Sequence, residues 1–377
     1  MKVLMISNDK RIYDTGSGPA KRMLMIGNLT DGLEILILGL GGKAVRLSPK
    51  VEVIPTGHSK LFSIFRALNI IRKLDNKNSP VADVISAQDP FLAGLTGLLI
   101  KKFLKLKLQI QLHTDIMNPC FREESFLNQL RYWMALFLIP RADCVRVVSQ
   151  RIRNSLKPKF PGLKISVLPI FVDVEKITMA VPGFNLHEKY PRYNFIILMA
   201  SRFAKEKNID LALSVMAEIV KKYPQAGLII VGRGPLEDDY KLRIKNLGLD
   251  KNVKIEPWTE DVVSYYKTAD LFLLTSNYEG YGLSLVEAVI SGCPAISTDV
   301  GVVSEVIKER ENGFIVPVGD KTSLVNAISK LIKERELLKK FKQFNLDITA
   351  IPHFPGSYFE NYIKSLNPCL ENKIDIC

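Results

Sequence analysis

LFLLTSNYEGYGLSLVEAVISGCP, residues 271–294, contains a complete strand–loop–helix unit. The apolar run LFLLTS has the length and composition of a buried strand, and NYEGYG is a glycine-rich loop. LSLVEAVI then has the character of a helix that begins near Gly282 and stops at Gly292, with Pro294 beyond it. A buried strand followed by a helix is the repeating unit of a parallel sheet, so this stretch predicts an α/β fold.

The same unit repeats along most of the chain, because short runs of Val, Ile and Leu alternate with longer amphipathic segments. The predicted strands are 2–7, 34–40, 51–55, 83–88, 108–114, 144–149 and 165–170 in the first half, and 194–201, 227–232, 253–257, 271–276, 294–299 and 313–318 in the second. This pattern predicts two doubly wound, Rossmann-like domains that face each other across a cleft. We expect the domains at residues 1–180 and 190–345, with a linker within 173–192 and a C-terminal helix, 353–377, that packs back on the first domain.

The composition limits the classes of function. The chain has 377 residues, of which 47% are apolar and 24% charged, enough for two globular domains. Its formal net charge of +13 favours an anionic partner such as a nucleotide, a nucleic acid or an acidic membrane surface, although a solvated basic surface is the alternative. The start of the chain is too short and polar for a signal peptide, and no apolar run reaches the ~20 residues of a membrane span. The apolar segments 91–100 and 133–139 are predicted to be buried helices.

The five cysteines, which include no CxxC pair, indicate a reducing, cytoplasmic setting and no zinc site.

The segment SRFAKEKNIDLAL, residues 201–213, follows the first strand of the second half and carries Arg202 and Lys207. In doubly wound sheets, ligands bind beyond the carboxyl ends of the strands. Two cations at such a position can neutralise the charge that grows on a leaving diphosphate, as a metal ion does elsewhere. A solvated basic loop is the alternative.

The segment NYEGYGLSLVEA, residues 277–288, places Glu279 in a loop and Glu287 within the following helix. The first amides of a helix carry partial positive charge, and Gly280 and Gly282 allow a phosphate to approach them closely. A carboxylate accepts two hydrogen bonds and therefore suits a pair of sugar hydroxyls. We expect a diphosphate at this helix start, with a transferred sugar at one glutamate and a ribose at the other. A capping carboxylate and a solvated helix glutamate are the alternative.

Two further glycine-rich segments are weaker signals. VGRGPLEDDY, residues 231–240, could let a flat base pack against the backbone at Gly232 and Gly234, but a plain turn explains it as well. GSGPAK, residues 16–21, lies too far beyond strand 2–7 for a dinucleotide-binding fingerprint and lacks the third glycine.

The quoted segments of the second half resemble the retaining nucleotide-sugar glycosyltransferases of family 4, which have the GT-B fold. The similarity continues in order through SRFAKEKNIDLAL, VGRGPLEDDYKLRIKNLGL, ADLFLLTSNYEGYGLSLVEA, GCPAISTDVG and NGFIVPVGD. It implies catalytic roles for the two cations on the donor diphosphate and for Glu279 on the donor sugar, and it places Glu287 on the ribose. The resemblance implies a donor site that also contains Gly232, Gly234, Pro257, Gly280, Tyr281, Gly282 and Leu283.

The first half resembles the family more loosely. Gly16 and Gly18 lie where the family has a glycine-rich loop that approaches the diphosphate, and His113 follows a strand as a family histidine near the sugar and acceptor does. A loop histidine with satisfied hydrogen bonds is the alternative for His113. The chain departs from the family's usual residues at 170–171, Val302 and Ser304, which leaves the acceptor open.

The resemblance implies transfer of a sugar from a nucleoside diphosphate to an acceptor hydroxyl with retention, and without a metal or another cofactor. A GT-B-fold epimerase, a phosphorylase or starch-type synthase, and a non-catalytic sugar-nucleotide-binding protein are the alternatives. A nucleic-acid partner is not predicted, because neither a stacking motif nor a recognition helix is evident.

The acceptor is predicted to be a lipid-linked or cell-envelope glycan at an anionic membrane surface. The helical segment 59–74 is bordered by basic residues, and KKFLKLK, residues 101–107, adds four lysines. One face of the predicted helix collects Leu61, Ile64, Phe65, Leu68 and Ile71. The expected location is the cytoplasm, at the inner face of the membrane, and an ordinary helix that turns this face to the core is the alternative.

Overall fold

The structure is a computed structural model that describes residues 1–75, 80–344 and 355–370. The chain divides into two compact units. Unit 1 comprises Met1–Pro169 and the segment from Phe354 onward, and unit 2 comprises Ile170–His353. The division falls before the predicted boundary at residue 180, so the predicted linker belongs to unit 2. Residues 353, 354 and 371–377 of the predicted C-terminal helix lie outside the described residues.

The strands form one sheet in each unit. In unit 1 they are β1 (Lys2–Ser7), β2 (Gly32–Ile37), β3 (Val45–Ser48), β4 (Val51–Pro55), β5 (Val84–Ala87), β6 (Lys107–Leu112), β7 (Cys144–Val147) and β8 (Ile165–Val167). In unit 2 they are β9 (Phe195–Ala200), β10 (Ala226–Val231), β11 (Val253–Glu256), β12 (Leu271–Leu274), β13 (Ala295–Thr298) and β14 (Gly313–Val316).

Helices connect most of these strands. Those before the end of unit 1 are α1 (Gly18–Asn28), α2 (Lys60–Leu74), α3 (Leu92–Leu104), α4 (Pro119–Glu123), α5 (Phe126–Leu138) and α6 (Gln150–Leu156). Unit 2 contains α7 (Val174–Met179), α8 (Leu186–Lys189), α9 (Ile209–Lys222), α10 (Glu237–Asn246), α11 (Val262–Thr268), α12 (Leu283–Ile290), α13 (Val303–Val306), α14 (Lys321–Lys333) and α15 (Arg335–Lys342). The last two, α16 (Pro355–Lys364) and α17 (Asn367–Leu370), belong to unit 1.

The sheet of unit 1 has the order β3-β4-β2-β1-β5-β6-β7-β8 and is parallel except for the β3–β4 pair. Right-handed crossovers place α2, α3 and α5 on one face of this sheet and α1 on the other. Contacts between α2 and α3, between α3 and α5, and between α1 and α16 agree with that placement. The central strands are buried on both faces, which their unbroken Val, Ile and Leu runs require.

The sheet of unit 2 is parallel throughout, with the order β11-β10-β9-β12-β13-β14. In order of appearance this is 3-2-1-4-5-6, the strand order of a dinucleotide-binding domain. Helices α9 and α14 pack against each other beside this sheet, and the apolar faces of both are buried. The two doubly wound sheets predicted from the sequence are therefore confirmed.

A buried polar network ties α16 and its end to the sheet of unit 1. Gln111 Nε2 donates to Tyr362 Oη at 2.9 Å, and Arg146 Nη1 donates to Gln111 Oε1 at 2.7 Å. Gln109 Nε2 donates to the Ser365 carbonyl at 2.7 Å. All five side chains are buried, so these bonds offset the loss of their hydration.

A disulfide joins Cys144 of β7 to Cys369 of α17, across a sequence separation of 225. The expectation of reduced cysteines is wrong for this pair in the structure. The two residues lie close together because α17 packs on β6, which neighbours β7. The spacing of the cysteines in the sequence does not indicate this tertiary contact. Cys120 and Cys293 are free thiols, and Cys377 lies outside the described residues.

Three local predictions need correction. Strand β3 was not predicted, because it has only four residues, mixes apolar with polar side chains, and lies partly exposed at the edge of the sheet. The segment 133–139 is not a buried helix throughout, since Trp133 and Phe137 are exposed while Leu138 is buried. In α2, Ile64 and Ile71 are buried but Phe65 is exposed, and the Leu61 side chain is not among those described.

The predicted linker contains α7 and α8, which pack on α12 and α11 respectively. Within the described ranges, no helix has both the length and the apolar character needed to cross a bilayer.

Candidate functional site

The candidate site lies at the switch point of the sheet in unit 2. Strands β9 and β12 are neighbours there, and the connections on either side of them lead in opposite directions. Such a switch point opens a crevice beyond the carboxyl ends of the two strands. The loop after β9 carries Arg202 and Lys207, and the loop after β12 carries Glu279, so the fold brings these predicted residues to one place.

Side-chain and backbone hydrogen bonds hold the two loops together. Asn277 N donates to the Glu206 carbonyl at 2.8 Å, and Thr275 Oγ1 donates to the Lys207 carbonyl at 3.0 Å. Asn208 Nδ2 donates to Asn277 Oδ1 at 2.9 Å. These polar residues were missed in the sequence, although their position directly after two adjacent strands was a usable signal.

Lys207 and Glu279 form an ion pair between the loops. The distance from Lys207 Nζ to Glu279 Oε1 is 2.5 Å, and only 18% and 11% of the two side chains are exposed. Ser276 Oγ donates to the same carboxylate oxygen at 2.8 Å. In turn, Thr298 Oγ1 donates to the Ser276 carbonyl at 2.7 Å. The carboxylate of Glu279 is therefore fixed in position and compensated by one cation.

Arg202 is the more accessible cation, with 69% of its side chain exposed. Its guanidinium is hydrogen-bonded to Glu206, and this bond raises the pKa of Arg202 against the opposing effect of desolvation. The nearby Tyr278 and Glu279 raise it further. Arg202 is thus a permanent positive charge that an anion from solvent can reach.

The helix start at this site depends on two glycines. Gly282 precedes α12 with a φ of +94°. Apart from its chain neighbours, no atom of the described residues lies within 4 Å of where a Cβ would stand, so the backbone angle itself requires glycine. A Cβ on Gly301 would lie 2.4 Å from the Tyr281 carbonyl, which also accepts from Val302 N at 2.9 Å. The turn after β13 therefore supports the backbone at Tyr281, next to Gly280 and ahead of Leu283.

Glu287 lies within α12 and is half-buried. Burial raises the pKa of Glu287, and a hydrogen bond from Tyr266 Oη at 3.2 Å opposes that rise. The alternative of a fully solvated helix glutamate does not describe this side chain. Tyr266 was missed in the sequence because its contact with Glu287 comes from the packing of α11 on α12.

Gly232 and Gly234 have a structural role in the loop after β10. A Cβ on Gly232 would lie 1.9 Å from the Ser201 carbonyl, and one on Gly234 would lie 2.4 Å from the Phe203 carbonyl. The absence of side chains lets this loop pack on the loop after β9. Pro257 follows β11 and is exposed. Contacts of these three residues with a donor stay predictions.

The remaining predicted residues belong to unit 1. Gly16 precedes α1 and Gly18 begins it, in the segment that follows β1 at the switch point of that sheet. Neither has a positive φ, so their backbone angles do not require glycine.

His113 follows β6, as expected from the sequence. Desolvation by the surrounding protein and then the charge of Arg146 lower the pKa of His113. Part of the side chain is nevertheless exposed to solvent. The imidazole is neutral at neutral pH, and its role near an acceptor stays a prediction. No group of three or more His, Cys, Asp or Glu residues in the described parts of the chain could hold a metal ion.

Two family models match the chain. The model described as glycosyl transferases group 1 matches residues 186–345, and the model described as glycosyltransferase family 4 matches residues 34–176.

Two curated bacterial enzymes are similar to it in sequence. The N-acetyl-alpha-D-glucosaminyl L-malate synthase of Bacillus anthracis is 29% identical over 62% of this chain and 60% of its own length. The UDP-Gal:alpha-D-GlcNAc-diphosphoundecaprenol alpha-1,3-galactosyltransferase of Escherichia coli is 29% identical over 46% of this chain and 47% of its own length. The chain spans about half the length of the curated relatives it matches.

The chain also has structural neighbours. The structure of Anabaena HepE in complex with UDP-glucose has a TM-score of 0.75 and 21% sequence identity, and the match covers 97% of this chain and 99% of HepE. This likeness shows the fold that the two chains share.

Proposed function

Because the chain belongs to the group 1 glycosyltransferases, of the family 4 type and with the GT-B fold, we propose that it transfers a sugar from a nucleoside diphosphate to an acceptor hydroxyl with retention of configuration. The observation that carries the proposal is the switch point of unit 2. There Arg202, the Lys207–Glu279 pair and the start of α12 lie on adjacent loops. This combination offers positive charge for a diphosphate beside a fixed carboxylate for a sugar.

The proposed reaction breaks the bond between the anomeric carbon and the diphosphate oxygen. The acceptor oxygen attacks on the same face of the sugar, and the departing phosphate oxygen takes the acceptor's proton. Arg202 and Lys207 stabilise the charge on the leaving diphosphate, together with the amides near Tyr281 and Leu283. No resident metal or other cofactor is needed for these steps.

The two glutamates differ in role in this proposal. Glu279 accepts hydrogen bonds from the transferred sugar, for which its ion pair with Lys207 holds it in position. Glu287 accepts hydrogen bonds from the ribose hydroxyls. Its partial burial beside Tyr266 makes each such bond stronger than it would be in water.

The proposed acceptor is a lipid-linked or cell-envelope glycan, and the proposed location is the cytoplasm at the inner face of a membrane. The diphosphoundecaprenol acceptor in the name of the Escherichia coli relative supports this choice. The net charge of +13 also favours an anionic surface.

A panel of UDP-, GDP- and ADP-sugars tests the donor assignment by thermal shift. The true donor stabilises the native state by mass action and raises the unfolding temperature, whereas the others change it little. With that donor, Arg202→Ala and Lys207→Ala are each expected to lower turnover about a hundredfold, about 2.7 kcal/mol.

Lys205→Ala is the matched control, because Lys205 is an exposed cation in the same loop. It is expected to keep turnover within about twofold, since it removes only screened surface charge. Full activity in both Arg202→Ala and Lys207→Ala, or an equal loss in Lys205→Ala, would show that the proposed charge positions are wrong. An inverted product would refute retention.

A further inference from the structure

Helix α5 carries a continuous apolar stripe on its outward face. Phe126, Leu130, Trp133 and Phe137 recur at helical spacing, and their exposed fractions are 82%, 52%, 61% and 51%. Leu127 lies beside the stripe and is 53% exposed. The inward face is occupied by Asn128, Ala135 and Leu138, which are buried. The helix therefore has a core-facing side and a second apolar side whose large side chains are at least half exposed in the part of the chain that the structure describes.

The neighbouring helices of unit 1 also carry exposed aromatic side chains. Phe103 of α3 and Phe62 and Phe65 of α2 are each more than half exposed, and α2, α3 and α5 lie on the same face of the sheet. Large exposed apolar side chains in one helical layer are unusual for a soluble surface and mark a site of interaction.

Cations contact aromatic rings of α5 at the C-terminal end of the stripe and beside its middle. The Arg141 guanidinium lies 3.7 Å from the centre of the Phe137 ring. Tyr132 packs edge-on against Trp133, and its own ring lies 5.6 Å from the Arg122 guanidinium and 5.7 Å from Lys159 Nζ.

Further charges lie around these residues. Lys101 of α3 reaches the Arg141 carbonyl at 3.0 Å, and it also pairs with Asp143. The acidic side chains near the helix start are Glu123, which is 3.9 Å from Arg122, and Glu124, which accepts from Asn128. The named side chains around the stripe are four cations and three carboxylates, a small positive excess of the same sign as the net charge of the chain.

We propose that the outward stripe of α5 inserts into the headgroup–acyl boundary of an anionic lipid bilayer. Aromatic and Leu side chains at this depth leave water, while the bordering Arg and Lys side chains reach the lipid phosphates. A second copy of the chain fits less well, because two such borders would bring like charges together. This inference names a membrane surface on α5, where the sequence suggested one on segments 59–74 and 101–107, and it does not depend on the donor assignment.

The chain has two tryptophans, one in the stripe and one in unit 2, which makes a direct test possible. The Trp258→Phe variant keeps Trp133 as its single tryptophan. The Trp133→Phe variant keeps Trp258, which is 55% exposed. On addition of vesicles of phosphatidylcholine with phosphatidylglycerol, the Trp133 emission is expected to shift to the blue and to be quenched by brominated acyl chains. The Trp258 emission is expected to stay unchanged.

Vesicle sedimentation with a matched pair of leucines gives the magnitude. Leu130→Ser is expected to weaken binding about tenfold, because the lost side chain no longer leaves water. Leu242→Ser removes an equally exposed leucine of unit 2, at 59%, and is expected to bind within about twofold of the unchanged protein. Vesicles of phosphatidylcholine alone are expected to bind at least tenfold more weakly, since the cations lose their partners.

Two results would overturn the proposal. One is an unchanged Trp133 spectrum with phosphatidylglycerol vesicles in a variant whose thermal unfolding matches that of the unchanged protein. The other is a blue shift of Trp133 that rises with protein concentration without lipid, together with a larger mass in light scattering. The second result would assign the stripe to an interface between two copies.

Discussion

Replacing Glu287 by Gln separates the stability of unit 2 from its proposed ligand binding. Gln keeps the size of the side chain and still offers an oxygen to Tyr266 Oη, which lies 3.2 Å from the carboxylate. It removes the charge, whose burial raises the pKa of Glu287. A raised carboxyl pKa means that the folded state disfavours the ionised form, so the neutral variant is expected to be more stable near neutral pH.

The sign and the pH window follow from the direction of the shift. The ordinary pKa is 4.5, and the folded value lies above it. The stability that protonated Glu287 contributes is fully present below pH 4.5 and is lost as the pH rises through the folded pKa. Each unit of elevation corresponds to about 1.4 kcal/mol. The side chain is mostly buried but keeps some exposure, so solvent screening reduces the effect, and we expect a gain in the free energy of unfolding near pH 8 that vanishes at acidic pH.

Ligand binding is expected to change in the opposite direction. A hydrogen bond to a charged acceptor contributes about 1.5–3 kcal/mol, so a donor whose ribose contacts Glu287 should bind the Gln variant at least tenfold more weakly. Urea unfolding of the unliganded protein at both pH values measures the first effect, and calorimetric titration with the donor measures the second. Equal or lower stability near pH 8 would refute the account of burial. Unchanged donor affinity would refute the ribose contact while leaving the account of burial intact.

Three further experiments test other features of the structure. Lys207→Met leaves the mostly buried carboxylate of Glu279 without its cation and should lower the free energy of unfolding by about 2–3 kcal/mol. Adding Glu279→Gln should restore at least half of the lost stability. A Lys207→Met protein as stable as the unchanged protein would contradict this account of the ion pair. Gly301→Ala should lower the free energy of unfolding by about 2–4 kcal/mol, because the new Cβ would lie 2.4 Å from a carbonyl oxygen. Gly319 also has a positive φ but has open space around it, so Gly319→Ala should lower the free energy of unfolding by only about 1 kcal/mol in the same urea assay. Cys369→Ser should lower stability by about 2–4 kcal/mol in non-reducing buffer, and this difference should disappear when both proteins are unfolded in dithiothreitol.

The sheets were predictable because buried parallel strands leave a strong signal in the sequence. Runs such as KVLMIS and FIILMA are apolar on both faces, and a loop position for such a run would leave its side chains in water. Strand β3 left no such signal, because VRLS pairs only at one edge of the sheet and keeps most of its side chains half exposed. The observed strand ends also differ from the predicted ones, because neighbouring strands rather than local composition set how far the hydrogen-bonded pairing extends.

The positions of the charged residues were predictable, but their partners were not. Arg202, Lys207 and Glu279 could be found because they directly follow strands, where doubly wound sheets bind ligands. The choice of Lys207 as the partner of Glu279 depends on hydrogen bonds between two loops that are far apart in sequence. The same reasoning applies to α5, whose period indicated a helix but could not tell which of its two apolar sides faces the sheet.

The balance of charge at the switch point of unit 2 leads to one more prediction, on what a ligand must contain. Arg202 and Lys207 supply two positive charges, whereas Glu206, Glu279 and Glu287 supply three negative ones, so these five side chains carry no excess of positive charge. A bare diphosphate therefore gains little net attraction unless Arg202 releases Glu206, and its remaining contacts are backbone amides at the start of α12.

A nucleoside diphosphate adds ribose hydroxyls, which can donate hydrogen bonds to the carboxylates of the site. The carboxylates then contribute to binding, whereas they only repel a bare diphosphate. We expect inorganic pyrophosphate to raise the unfolding temperature far less than the matching nucleoside diphosphate at equal concentration. Glu206→Gln, which releases Arg202 from its ion pair, should strengthen pyrophosphate binding and so reduce the difference in unfolding temperature between the two ligands. Equal stabilisation by the two ligands in the unchanged protein would mean that positive charge alone, rather than its pairing with the glutamates, governs recognition at this site.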